Sequence, residues 1–333
     1  LIYDEFENIL FKGSPLGHNI LGTAKQVRAF KTEDALRFTQ KLYRPDNAIF
    51  FAYGDIDFKK LVKLIGKALA DDSSGKLAEK GCHADFADDA DFSGETGDTG
   101  FAGARDSEIT QMSQAPQMTQ ISRGAMDSQG AMDSQGAIDS MGSMDPMGSP
   151  AGQTIVMQKN THQAHVMIGT RAYDVNDDRR MPLYLLNNML GGPGMNAKLN
   201  LALREHNGLV YTVESTMVSY GDTGTWSIYF GCDEHDVKRC LRLVRKELDK
   251  FMQKPLSDAQ LKAAKKQIKG QIGVACDNRE NFALDFGKSF LHYGWEKNVD
   301  RLYEQVDEIT AAQIQAVAQE LFDKDRLTTL IFK

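Results

Sequence analysis

Residues 190–211, LGGPGMNAKLNLALREHNGLVY, join a glycine-rich turn, a short amphipathic helix, a second glycine, and an arginine seven residues before a tyrosine. Gly191, Gly192 and Gly194 allow positive φ and close approach of a partner, and Pro193 stiffens the turn between them. From Met195, the apolar positions Met195, Leu199 and Leu203 recur at helical spacing. That spacing turns Lys198, Arg204 and Glu205 away from the apolar stripe before Gly208 stops the helix. Val210, Val213 and the alternation after them read as a strand, so Arg204 and Tyr211 flank a helix-to-strand corner and can project toward one point.

Outward from this corner, the C-terminal part reads as alternating elements. A strand is expected over His165–Tyr173, a helix from about Asp178 to Leu190, and a hairpin turning at Tyr220–Gly224. The second hairpin strand alternates Trp226, Ile228 and Phe230 with Ser227 and Tyr229. Helices follow at 233–253 and from a cap at Ser257 to about Cys276, then two or three more, and a closing strand Leu327–Phe332. Before the middle of the chain, Thr32 and Asp34 open a helix to about Tyr43 that Arg44-Pro45 ends. An apolar strand Ala48–Tyr53 and a helix Phe58–Leu69 come next. Helices segregated from a largely antiparallel sheet mean an α+β fold.

The segments 31–53 and 310–332 form a faint internal repeat, each a helix ending in an aromatic, a charged turn and an apolar strand. The second module has roughly 150 residues ahead of this ending and the first about 30, so the first is expected to lack its beginning. Leu1 follows no initiator methionine and opens no charged or apolar leader, which supports a fragment. The domain expectation is therefore 1–70, a remnant of a first domain; 71–153, a disordered linker; and 154–333, a second domain.

The net charge of the 333 residues is −7, but residues 71–150 hold 15 acidic and 4 basic side chains, leaving +4 for the rest. That stretch is rich in Asp, Gly, Ser and Gln and repeats GAMDSQ-like hexapeptides over Gly124–Met147. Low hydrophobicity with one sign of charge does not offset ordering entropy. Elsewhere 41% hydrophobic content supports a core, and no apolar run reaches the 18 residues of a membrane span. Cys82, Cys232, Cys240 and Cys276 have no C-x-x-C spacing, so they read as reduced thiols of a reducing compartment such as the cytoplasm.

The 190–211 stretch resembles the C-terminal signature of M16 (pitrilysin or insulinase type) zinc metallopeptidases, a glycine-rich turn followed by LR-E-x-x-GL-x-Y. The likeness extends over FKGSPLGHNILGT (11–23), Thr32–Asp57 and Thr154–Lys333. It implies that Arg204 and Tyr211 reach a peptide held at a zinc of the N-terminal half, where they hydrogen-bond the carbonyl oxygen as it becomes an oxyanion. It also implies that Gly191, Gly192, Gly194 and Asn196 shape the wall of the peptide chamber. Taken without the resemblance, Arg204 is an ordinary helix-end ion-pair partner and Tyr211 a half-buried strand tyrosine.

The family's inverted H-x-x-E-H is absent, since none of the seven histidines has a Glu-His pair behind it. The implied zinc, with its glutamate base, would therefore belong to a missing half, and this chain alone would bind no metal and cleave nothing. The implied partners are a peptide substrate and the missing zinc-binding half or a catalytic subunit; a homodimer is compatible. The second reading is a non-catalytic M16-like subunit that binds peptides or scaffolds.

Other features have plain explanations. His162 and His165 lead into a strand, where residues three apart point to opposite faces, so they make a poor ligand pair. Lys262, Lys265, Lys266, Lys269 and the arginines at 239, 242 and 245 form solvated helix faces without the aromatics of a nucleic-acid surface. The LGGPGMN turn has neither a P-loop ending nor a Rossmann order.

Overall fold

A computed structural model describes residues 2–52, 54–72, 152–159, 161–294 and 298–333. In chain order these form α1 (Ile2–Leu10), α2 (Ala24–Ala29), α3 (Thr32–Leu42), α4 (Phe58–Asp72), β1 (Thr154–Met157) and β2 (Ala164–Ala172). There follow α5 (Arg180–Gly191), a π-helical turn (Asn200–Glu205), β3 (Val210–Ser219), β4 (Gly224–Cys232) and α6 (Val237–Gln253). The chain closes with α7 (Asp258–Asp277), α8 (Arg279–Tyr293), α9 (Val299–Glu308), α10 (Ala311–Leu321) and β5 (Thr328–Phe332). The acidic stretch with its hexapeptide repeat lies outside the described residues.

The chain divides into two compact units. The larger comprises described residues from 2–31, 152–277 and 298–333. Its sheet runs β1-β5-β2-β4-β3, antiparallel except for the β1–β5 pair. The α+β architecture expected from the sequence is present. Alternation along the strands sends Val166, Ile168, Trp226, Ile228, Phe230 and Ile331 to one face, where they meet Leu183, Leu186, Val244, Leu248, Val317 and Leu321 from α5, α6 and α10. All but Ile168 and Ile331 of these twelve are almost wholly buried. Burial of a large aliphatic or aromatic side chain contributes about 1.5–3 kcal/mol, so this face is the main source of stability.

The opposite face is also covered. Met167, Leu330 and Phe332 point away from the main core and pack against Ile2, Phe6, Leu10 and Phe11, the apolar stripe of α1 and the residue after it. Arg171 donates from Nε to the Leu10 carbonyl (2.9 Å), meeting a group the helix end leaves unpaired, and lies over the Phe11 ring. α1, from the span 1–70 expected as a separate remnant domain, is a second-face helix of this unit.

Three helix starts are closed by reciprocal capping boxes, Thr23 with Gln26, Ser257 with Gln260 and Thr310 with Gln313.

The smaller unit comprises described residues from 32–72 and 278–294. Phe51 packs on Phe286 of α8 at 5.0 Å between ring centroids. None of its described side chains is buried, and Phe38, Tyr43, Phe50 and Phe58 are largely exposed. The strand expected at Ala48–Tyr53 is not present: Ala48–Ala52 carries no ladder, and Tyr53 lies outside the described residues. The matching segment of the internal repeat does form a strand, β5, between β1 and β2. An extended segment becomes a strand only where neighbours take its backbone hydrogen bonds.

Candidate functional site

The corner between α5 and β3 is built from amides. After α5 the glycine-rich turn bends back so that Ala197 N–H donates to Gly194 O (2.9 Å). Asn196 and Gln267 of α7 exchange two side-chain hydrogen bonds (3.0 and 3.2 Å). Asn188 donates to Gln271 one turn further along α7 (2.6 Å), and Ser215 of β3 donates to Asn187 (2.6 Å). Of these only Asn196 is singled out by the sequence; the amides at Asn187-Asn188 and at Gln267 and Gln271, four apart on one helix, are a readable signal for the others.

The backbone conformation expected of the glycines needs correction. Gly191, Gly192 and Gly194 do not take positive φ, and Gly192 sits at φ −66, ψ 177. What approaches them is the protein itself. A Cβ at Gly191 would lie 2.5 Å from Ser215 N, and one at Gly194 would lie 2.6 Å from both Asn196 Oδ1 and Gln267 Nε2. Close packing against backbone demands glycine at 191 and 192, whereas at Gly194 the neighbours are movable side-chain ends.

The expected α-helix of the signature is wound as a π turn over Asn200–Glu205, with His206 N–H returning to Leu201 O (3.0 Å). Leu199 and Leu203 remain fully buried. Two asparagines serve the loosened carbonyls, Asn200 donating to Met195 O (3.1 Å) and Asn207 to Ala202 O (2.8 Å). Arg239 of α6 donates to Asn207 Oδ1 (3.0 Å), tying the turn to that helix. Gly208, at φ 59, ends the turn in the left-handed region as the sequence predicts.

Arg204 thus stands at the end of a π turn, half exposed, 3.8 Å from Glu205. Tyr211 stands at the start of β3, 80% exposed, inside an irregularity where Val210 pairs with Cys232 and Val213 with Phe230. Tyr211 and Thr212 therefore both face Gly231, which is a β-bulge. Among the described residues neither Arg204 nor Tyr211 hydrogen-bonds the other.

The family description "Peptidase M16 inactive domain" matches residues 29–95 and 143–268, more than half of the chain and all of 190–211. The chain belongs to the M16 peptidase family. An uncharacterized zinc protease of Streptomyces coelicolor is 24% identical over 323 residues, covering 97% of this chain and 58% of the relative. The mitochondrial-processing peptidase subunit beta of Saccharomyces cerevisiae is 23% identical over 318 residues, 94% of this chain and 58% of that one. The chain thus spans under two thirds of the length of these M16 relatives. A solved protease from Helicobacter pylori has the same fold at a TM-score of 0.65 and 17% identity, over 99% of this chain and 65% of that one.

Zinc chemistry of the M16 kind does not fit the described residues. Their one group of three metal-capable side chains is Asp233, His235 and Asp236, with ligand atoms within 4.8 Å on a short exposed turn. The sequence reading passed over this group. It has one nitrogen ligand, where the family's H-x-x-E-H supplies two histidines. Cys232 and Cys240 are buried free thiols, and the hydrogen bond with Cys240, with burial behind it, pushes the Cys232 thiol up. Cys276 is also free, and Cys82 lies outside the described residues.

Proposed function

We propose that this chain is the substrate-binding portion of an M16 zinc metalloendopeptidase acting on peptides or unfolded segments. The observation that carries it is the pairing of a family-matched signature with an exposed Tyr211 whose hydroxyl makes no hydrogen bond among the described residues, seven residues from Arg204 across a corner locked by Gly208. A tyrosine hydroxyl and a guanidinium are both donors that suit a developing oxyanion, because preorganised donors act where charge forms in the transition state. Gly191, Gly192, Gly194 and Asn196 hold that corner in place through Ser215 and Gln267.

No step is drawn through zinc, since the described residues offer no site of the family's kind. What this chain contributes is the positioning of a peptide carbonyl by Arg204 and Tyr211. The partner of the reaction is the zinc-binding half of the longer protein or a separate catalytic subunit.

A second reading has its own support. The matched domain is described as inactive, and one relative is named as a subunit of a processing peptidase. A non-catalytic, peptide-binding subunit would keep the same fold. Hydrolysis of a fluorogenic peptide by the full-length protein, measured with and without a chelator, separates the two. Chelator-sensitive cleavage supports the peptidase, and its absence at saturating protein leaves the non-catalytic subunit.

A further inference from the structure

Arg204 lies where two hydrogen-bond patterns meet. Downstream, Gly208 N–H donates to Arg204 O (2.8 Å) and Leu209 N–H to Leu203 O (2.9 Å), the paired closure of a helix end on a left-handed glycine. Upstream, the winding is π: His206 N–H passes over Ala202 O, its partner in an α-helix, and reaches Leu201 O (3.0 Å). The direction of Arg204 therefore depends on which carbonyl His206 takes. An α-helix turns about 100° per residue, so re-pairing by one residue would swing Arg204 by up to about that angle.

Ala202 O is engaged by a side chain instead. It accepts from Asn207 Nδ2 (2.8 Å), so the residue after His206 fills the acceptor that α winding would give the His206 backbone. Asn207 is in turn held from outside the turn, since Arg239 Nη2 donates to its Oδ1 (3.0 Å). With Oδ1 engaged by a guanidinium, the amide nitrogen is kept facing the carbonyl. Arg239 stands in the first turn of α6, whose Val237 and Cys240 are buried in the main core. A relay thus runs from a core-anchored helix, through one amide, to the winding of the turn that carries Arg204.

Asn207 and Arg239 are both exposed. Exposed polar contacts add little to stability. A displacement of about 1 Å in a group that meets the transition state can nevertheless lower the rate by about 100-fold. A relay placed in water therefore acts on geometry more than on folding.

We propose that Asn207 and Arg239 are positioning residues, which hold the π winding of Asn200–Glu205 and so keep Arg204 in the direction from which it serves the peptide carbonyl. This rests on the reading of Arg204 as a donor to that carbonyl and adds what fixes its direction.

The test is a double-mutant cycle in the full-length protein, with kcat and KM on a fluorogenic peptide and a melting temperature for each variant. Asn207→Ala is expected to lower kcat about 10-fold, with KM within about twofold and the melting temperature within about 2 °C of wild type. Arg239→Met should act in the same direction, and Arg239→Lys, which keeps a donor for Asn207, should recover most of the loss. In the Arg204→Ala background, Asn207→Ala should cost nothing further, because a positioning residue acts only through the group it positions. An unchanged kcat in Asn207→Ala or Arg239→Met, or a full 10-fold loss added to that of Arg204→Ala, overturns the positioning role while leaving the carbonyl-binding reading intact. A rate loss matched by a large fall in melting temperature overturns it too, since that is what a merely structural tie would give. If Arg204→Ala is itself silent, or the full-length protein cleaves nothing, the carbonyl-binding reading falls and the positioning role with it.

Discussion

Gly191 at the end of α5 lies against the backbone of Ser215 on β3, so close that a Cβ would come within 2.5 Å of the Ser215 nitrogen. Neither segment can back away freely, because Ser215 Oγ donates to Asn187 and Asn188 is held by Gln271. Gly191→Ala should therefore destabilise the protein by about 1–3 kcal/mol, the usual range for overpacking a tight interior. Gly221→Ala, with nothing within 4 Å of the added atom, should stay within about 0.5 kcal/mol of wild type. Chemical denaturation of the two variants side by side checks this; equal midpoints would show that the contact is slack.

Arg204 and Tyr211 carry the functional proposal. If they stabilise an oxyanion, Arg204→Ala or Tyr211→Phe in the full-length protein should lower kcat by about 100-fold or more, as lost donors of this kind do. Stability should barely change, since Tyr211 is 80% exposed and the ion pair that Arg204 makes among the described residues is the long one to Glu205. An exposed ion pair is worth at most about 1 kcal/mol. Full activity in both variants would remove the residue-level basis for the assignment.

Zinc should not bind this chain stoichiometrically, because its described residues lack the His and Glu set of the family. Elemental analysis of the purified chain is the measurement. Should one zinc per chain be found, His235→Ala would locate it: loss of the metal would point to Asp233, His235 and Asp236, and retention would point elsewhere.

Glu7 of α1 is a half-buried carboxyl that accepts from the Tyr220 hydroxyl (2.8 Å), and partial burial raises its pKa despite that bond. An acid whose pKa is raised on folding binds its proton more tightly in the native state. Its contribution to stability is therefore greatest in acid and is lost as pH rises from the unfolded carboxylate range through the folded value. Glu7→Gln keeps an oxygen for Tyr220 and removes the charge. The variant should melt higher than wild type at neutral pH and at the same temperature below the carboxylate range. A variant that melts lower at neutral pH would mean that the ionised form is the one α1 prefers.

Local rules were enough for many elements. Thr310 and Gln313 announce the start of α10, Gly208 ends the signature turn, and alternation at Trp226, Ile228 and Phe230 assigns the buried face of β4. These follow from capping, positive φ and two-residue periodicity, which act over a few residues. The family likeness was legible in 190–211 for the same reason, since its residues are contiguous.

What the sequence could not determine depended on residues far apart. Ala48–Ala52 has strand composition but no neighbours to take its hydrogen bonds, while β5, its counterpart in the repeat, has β1 and β2. The glycines of the turn looked ready for a visitor, and only the fold showed that Ser215 and Gln267 already fill that space. The tie from Arg239 of α6 to Asn207 behind the π turn likewise joins residues 32 positions apart. His165, Gly231 and Tyr211 fall in one row across three strands with no sequence adjacency. Pairing and close approach arise from the whole chain folding back on itself, so only the tertiary structure could decide them.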